Sequence, residues 1–177
     1  LDPIFDAAFQ QPVAAVTAGA GLGKTTAVSD YLEKREYRTV WFPFAAPDNI
    51  PARFWEHLIR VFASHRPTLG EKMEALGFPE NLQMFSVFLH DLVDELYDDN
   101  LSVAFVFDDL HLMTDPFVQT FLRTLLLSRL ENSCFILISR TWPVLDQSIP
   151  VIQPTVKAVD LRFSAEETGR DLLAEGI

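Results

Sequence analysis

Residues 18 to 26 read Ala18-Gly19-Ala20-Gly21-Leu22-Gly23-Lys24-Thr25-Thr26, a run suited to gripping a triphosphate. Small residues let the backbone curl around a phosphate and turn its N–H groups inward. A helix that starts at the phosphate presents its positive N-terminal end to the anion. Lys24 is spaced to bridge the β- and γ-phosphates, and the Thr25 hydroxyl to bind Mg²⁺. The run fits the Walker A pattern, with Ala18 in place of the first glycine. The expected ligand is a nucleoside triphosphate with Mg²⁺.

Phosphoryl chemistry also needs carboxylates, for the metal and for the attacking water. Phe105-Val106-Phe107-Asp108-Asp109 supplies them in the Walker B manner, an apolar strand with acids at its tip. Asp108 is expected to hold Mg²⁺ through water, and Asp109 to act as the base that orients the hydrolytic water. The competing reading is an Asp pair closing a loop, since Asp is common in turns. Arg140 closes a later apolar run. Ligands of open α/β sheets sit at the carboxyl ends of strands, so Arg140 is a candidate to sense or stabilise the γ-phosphate, alongside Lys24 and Asp109. The competing reading is a solvent-facing strand-end arginine. His111 reads as a structural hydrogen-bonder near the acids. His57, His65 and His90 show no metal-ligand spacing with Cys or acids, and no Gly-x-Ser-x-Gly is present.

These groups need a scaffold of alternating elements. A short helix over 4–9 leads into an apolar strand over 12–17, and a helix over 24–35 follows the glycine-rich turn. Thr39 to Phe42 reads as the second strand. Asp48 or Asn49 is placed to cap a helix whose first turn holds Pro51 and whose face carries Phe54, Leu58, Val61 and Phe62. Residues 66–79, with two Pro and two Gly, are expected to be irregular. Leu82, Phe85, Phe88, Leu89, Leu92, Val93 and Leu96 mark one face of an amphipathic helix. Its other side carries Asp91, Asp94, Glu95, Asp98 and Asp99, read as a solvated face. Strands over 103–107 and 134–139 flank a helix from Pro116 to about Leu130, and 156–161 suits a fifth strand. Ser164 with Glu167 forms a capping box for a last helix over 165–175. The pattern predicts an α/β fold with a mostly parallel sheet. The resemblance of the phosphate loop to that of P-loop NTPases implies their three-layer α/β/α sandwich, with about five strands in the order 5-1-4-3-2. The whole chain, 1–177, is expected to form one P-loop domain.

Composition narrows the partners. The chain of 177 residues carries 25 acidic against 14 basic residues, a formal net charge of −11, which argues against this piece gripping nucleic acid by itself. Its 15 Phe recur in periodic segments and read as core. The single cysteine, Cys134, lies in an apolar run and reads as a buried thiol. No apolar run reaches the length of a membrane span and no secretory signal opens the chain, which suggests a cytoplasmic protein without membrane contact. Both ends look like cuts from something longer.

The segments from Ala18 to Thr26, Trp41-Phe42 and Asp48 through Phe54 resemble the nucleotide-binding domain of large LuxR-type transcriptional regulators, the MalT-like group of STAND signal-transduction ATPases. Asp108-Asp109-Leu110-His111 is similar to that group's DDYH signature, with Leu110 where Tyr is usual. Ile138-Ser139-Arg140 with Pro143 resembles its sensor segment, and the run from Leu161 to Glu167 its LRFSxEE helix opening. The resemblance implies ATP and ADP binding, slow hydrolysis, and a switch in which ATP plus an inducer drives self-association. It also implies a winged helix, sensor repeats and a DNA-binding C-terminal helix-turn-helix, none of which lies in these residues. Two other readings stay open: a P-loop small-molecule kinase, and a nucleotide-dependent interaction module with negligible turnover.

Overall fold

The computed structural model describes residues 2–35, 37–96, 102–141 and 156–157. Five strands form one sheet: β1 (Val13–Thr17), β2 (Arg38–Pro43), β3 (Val103–Asp108), β4 (Ser133–Ser139) and β5 (Val156–Lys157). Their order is β2-β3-β4-β1-β5, the expected one, and every pairing is parallel. Among the described residues, six helices connect or flank them: α1 (Asp2–Phe9), α2 (Lys24–Glu33), α3 (Pro51–His65), α4 (Pro67–Leu76), α5 (Leu82–Leu96) and α6 (Pro116–Leu127).

The central strands β3, β4 and β1 are apolar on both sides, as a parallel sheet covered by helices requires. Alternation then divides the core in two. Phe105, Phe107, Phe135 and Leu137 face the layer of α3, α4, α5 and α6. Ala104, Val106, Cys134, Ile136 and Ile138 face the layer of α1 and α2. The result is the three-layer α/β/α sandwich of P-loop NTPases.

Several local expectations need correction. Residues 66–79 are mostly helix: α4 spans Pro67–Leu76. Pro67 stands at its first turn, where the missing N–H costs nothing, and Gly77 closes it at a φ of +71°. Gly70 lies where α4 crosses α3; a Cβ there would come 2.6 Å from the Ala63 Cβ. The prolines and glycines are the ends and the crossing point of a helix. The cap of α3 is also different, for its N-cap is Ile50 and no side chain caps it. Asp48 instead accepts from the Ala45 backbone N–H at 2.8 Å, within a 3-10 turn over Ala46–Asn49.

On α5 the buried stripe is narrower than the pattern suggested, with Leu82 and Val93 exposed. Its acidic side is partly engaged, since Lys72 of α4 lies 2.8 Å from Glu95 and 3.5 Å from Asp91. The Lys72 ammonium holds the Glu95 carboxyl below its usual range. Most phenylalanines are core, but Phe117 is 67% exposed. Cys134 is buried, and burial pushes its thiol up to about 12. The last helix over 165–175, its capping box, the 161–167 run, Pro143 and the rest of the fifth strand lie outside the described residues. No described helix is long and apolar enough to cross a membrane.

Candidate nucleotide-binding site

Three neighbouring strands, β3, β4 and β1, end on one side of the sheet, and the chain leaves each of them into a chemically distinct segment. After β1, Ala18 donates its N–H to the Ser139 carbonyl at 3.3 Å, which fixes where the loop departs. Gly21 and Gly23 take φ values of +73° and +69°. A Cβ at either would meet nothing within 4 Å, so left-handed backbone, not crowding, calls for glycine there. Helix α2 then begins at Lys24 with Gly23 as N-cap, and no side chain caps its first N–H groups. Those groups and the positive helix end are available to an anion.

The two acid-and-base segments meet across 83 residues of chain. The Thr25 hydroxyl donates to Asp108 Oδ2 at 2.9 Å. Asp108 Oδ1 accepts from the Asp109 backbone N–H, also at 2.9 Å. Alternation places this carboxylate: Phe107 faces the α3–α6 layer, so Asp108 turns towards α2. Lys24 Nζ donates to the Gly19 carbonyl at 2.9 Å, and its side chain is largely buried by the loop it closes.

Asp109 occupies a left-handed conformation with φ of 55°, and its side chain is about half exposed. His111 follows in a 3-10 turn over Leu110–Leu112, with Nδ1 3.7 Å from Asp109 Oδ1. That nitrogen is buried and has no hydrogen-bond partner among the described residues. Arg140 lies on an exposed bend after β4. Its strand is beside the loop-bearing one, because Ser139 pairs in register with Thr17. Leu22, Thr25 and Thr26 are exposed along the loop, while Ala18 is buried.

Two residues given no part in the site from sequence stand out at this end. Ser139 is fully buried, and its Oγ has no hydrogen-bond partner among the described residues. A lone hydroxyl closing an apolar run was the available signal. Asn49 makes three hydrogen bonds to Thr114 and Asp115 in the segment that follows Asp109, and nothing in its local sequence announces that contact.

The donor chemistry fits a hard divalent cation. Thr25 supplies a hydroxyl and Asp108 a carboxylate, 2.9 Å apart, both hard oxygen donors of the kind Mg²⁺ would take directly or through water. Mg²⁺ bound with a nucleotide takes few protein ligands, the rest coming from phosphate and water. Among the described residues, no group of three or more His, Cys, Asp or Glu is arranged to hold a metal ion by itself.

No protein-family model matches the chain. Among curated proteins it is similar to the HTH-type transcriptional regulator MalT of Serratia proteamaculans, 32% identical over 130 residues, which is 73% of this chain and 14% of that protein. It is 28% identical over the same length to MalT of Klebsiella pneumoniae, with the same coverage. The chain thus spans about one seventh of the length of these relatives. Among solved structures it is similar to the ORC1 protein of Aeropyrum pernix, solved in complex with DNA. That likeness has a TM-score of 0.52 at 17% identity, covers 98% of this chain and 46% of the other, and shows a shared fold.

Proposed function

We propose, from the premise that the chain is a P-loop NTPase-fold relative of the LuxR-family regulator MalT, that it is the ATP-binding switch domain of a STAND-type transcriptional regulator that hydrolyses ATP slowly. In this reading residues 1–177 are one nucleotide-binding unit. Inducer sensing and DNA binding belong to other parts of a longer cytoplasmic protein, which self-associates in its ATP-bound state. The observation that carries the reading is the Thr25–Asp108 hydrogen bond, which joins the phosphate loop to the acidic strand end.

Each residue then has a task. The backbone from Ala18 to Gly23 and the start of α2 wrap the β-phosphate. Lys24 exchanges the Gly19 carbonyl for phosphate oxygens, a swap of one hydrogen-bond acceptor for a charged one. Thr25 and Asp108 hold Mg²⁺ and Thr26 supports the phosphates. When bound, Mg²⁺ neutralises phosphate charge. Asp109 orients a water and accepts its proton as the water oxygen bonds to the γ-phosphorus. The bond from that phosphorus to the bridging oxygen breaks, and ADP leaves with the electron pair. Arg140 swings from its exposed bend to meet the γ-phosphate.

The test is single-turnover hydrolysis of Mg-ATP by the full-length protein and its Asp109→Asn variant. Removing the base is expected to slow hydrolysis by roughly 10²-fold or more and to leave Mg-ADP affinity unchanged. Equal, negligible rates in both, with nucleotide still bound, would replace the ATPase reading with that of an interaction module.

A further inference from the structure

Asn49 lies 65 residues before the segment it touches. Its Oδ1 accepts from the backbone N–H of Thr114 at 2.7 Å and of Asp115 at 2.8 Å, and its Nδ2 donates to Thr114 Oγ1 at 3.0 Å. Both partners of this contact are themselves braced. On one side, Asp48 ties the 3-10 turn through the Ala45 N–H and stands 3.0 Å from His57 Nδ1 on α3. On the other, Asp115 caps α6 by accepting from Phe117 and Val118, and Gln119 donates to the Met113 carbonyl.

The segment from Asp109 to Asp115 is therefore held at both ends. Its start is tied to the Asp108 carboxylate that also takes the Thr25 hydroxyl. Its end is tied to Asn49. Between the ties, Leu110 and Met113 are buried in the aromatic core while Asp109 stays half exposed. Asp109 itself is left-handed, a conformation that disfavours a residue with a Cβ. A few hydrogen bonds at partly exposed positions are comparable with that preference. The far tie is thus of a size to bias the backbone state of Asp109, alongside the Asp108 Oδ1 bond and the 3-10 turn that follows.

We infer that Asn49 is a positioning residue for Asp109: by fixing the end of the 109–115 segment it keeps the carboxylate at the strand tip. The inference rests on the hydrolytic reading of Asp109. It also predicts a link between the surface of the β2–α3 connection and turnover, since anything that lifts the Asn49 turn releases the segment.

Three variants separate the roles. Asn49→Leu removes all three bonds, Asn49→Asp keeps both accepted backbone bonds, and Thr114→Val removes only the Oγ1 bond. Asn49→Leu is expected to lower the single-turnover rate by roughly ten- to a hundredfold with Mg-ADP affinity unchanged. Asn49→Asp should retain most of the rate. Thr114→Val should show a smaller fall of the same kind, and it carries the test if Asn49→Leu does not fold. Amide hydrogen exchange gives a readout independent of turnover: in Asn49→Leu the N–H groups from Asp109 to Asp115 should all exchange faster. A parental rate in Asn49→Leu, with Thr114 and Asp115 exchanging freely and Asp109 still protected, overturns the inference. An Asp109→Asn variant as fast as the parent sinks the hydrolytic reading itself, which is a different failure.

Discussion

The two faces of the sheet are built from different residues. Towards α1 and α2 the core is largely small: Ala8, Ala14, Val16, Ala18, Val28, Ala104, Val106 and Cys134. Towards α3–α6 it is a network of rings, with Phe105 and Phe135 stacked at 5.0 Å and Phe42, Phe44, Phe62 and Phe107 packed around them. Small side chains let α2, whose first turn ends the phosphate loop, lie against the sheet with little volume between. Bulky ones fill the wider space under four helices. The site straddles this division. The proposed phosphate grip, from Gly19 to Thr25 with Asp108, belongs to the thin face. The turn after Asp109, hydrolytic in the proposed reading, is anchored by Leu110 and Met113 in the aromatic one. Stability should therefore be concentrated on one face and nucleotide affinity on the other.

The largest effect that could break this division comes from the aromatic face. Phe88 is fully buried, with ring centroids 5.4 Å from Phe121, 5.6 Å from Trp55, 5.7 Å from Phe85 and 6.3 Å from Phe62. Phe88→Ala should cost about 3–5 kcal/mol in urea unfolding, the transfer loss plus an unfilled cavity. The folded fraction should still bind Mg-ADP with parental affinity. A folded Phe88→Ala protein with weakened binding would show that the two faces are not separable.

The thin face gives the opposite signature. Lys24→Ala removes one hydrogen bond, to the Gly19 carbonyl, so the protein without nucleotide should lose only about 1 kcal/mol. Nucleotide at 100 times its Kd stabilises a domain by about 2.7 kcal/mol, and that increment should be absent in Lys24→Ala. Thermal unfolding with Mg-ATP, with Mg-ADP and without ligand measures both numbers. A nucleotide-induced shift that survives the substitution would remove Lys24 from the grip.

How far the sequence carried these readings depended on distance along the chain. The strands, their order and the loop–acid pairing follow from runs in which every residue has a local reason, such as Val13 to Thr17 or Phe105 to Asp109. Failures came where a residue's partner is remote. Pro67, Gly70 and Gly77 were taken for breakers because their helical roles depend on α3 packing beside them. Asn49 reads, with Asp48 as the alternative, as a helix cap, because its partners lie 65 and 66 residues away. Phe117 and Leu82 fit the helical period but fall at helix starts where no layer covers them. Arg140 lies just past β4 on an exposed bend.

The smallest expected effect asks what holds α1 to α2 on the thin face. Phe5, Phe9 and Tyr31 form a small ring cluster there. Around it, Asp6 Oδ1 accepts from the Tyr31 hydroxyl at 2.6 Å and from Arg35 Nη2 at 2.9 Å. These bonds, the Tyr31 hydroxyl first and Arg35 next, hold the Asp6 carboxyl below its ordinary 3.8. Burial, then the bond to Asp6, pushes the Tyr31 phenol up to about 12 from 10.0. A depressed carboxyl stabilises the fold above its unfolded value and loses that contribution as pH falls through the lower folded one. A raised phenol stabilises below pH 10 and loses its contribution as pH climbs towards 12. The cluster therefore adds a plateau between about pH 4 and 10 with a fall on each side. Asp6 and Arg35 are each more than a third exposed, so solvent and salt screen the acid limb strongly. Melting temperature against pH should show a shallower alkaline fall in Tyr31→Phe, with the raised Cys134 thiol still contributing its share, and flatten on the acid side in Asp6→Asn, with nucleotide affinity untouched in both. An alkaline fall of parental depth in Tyr31→Phe would place the titrating group elsewhere.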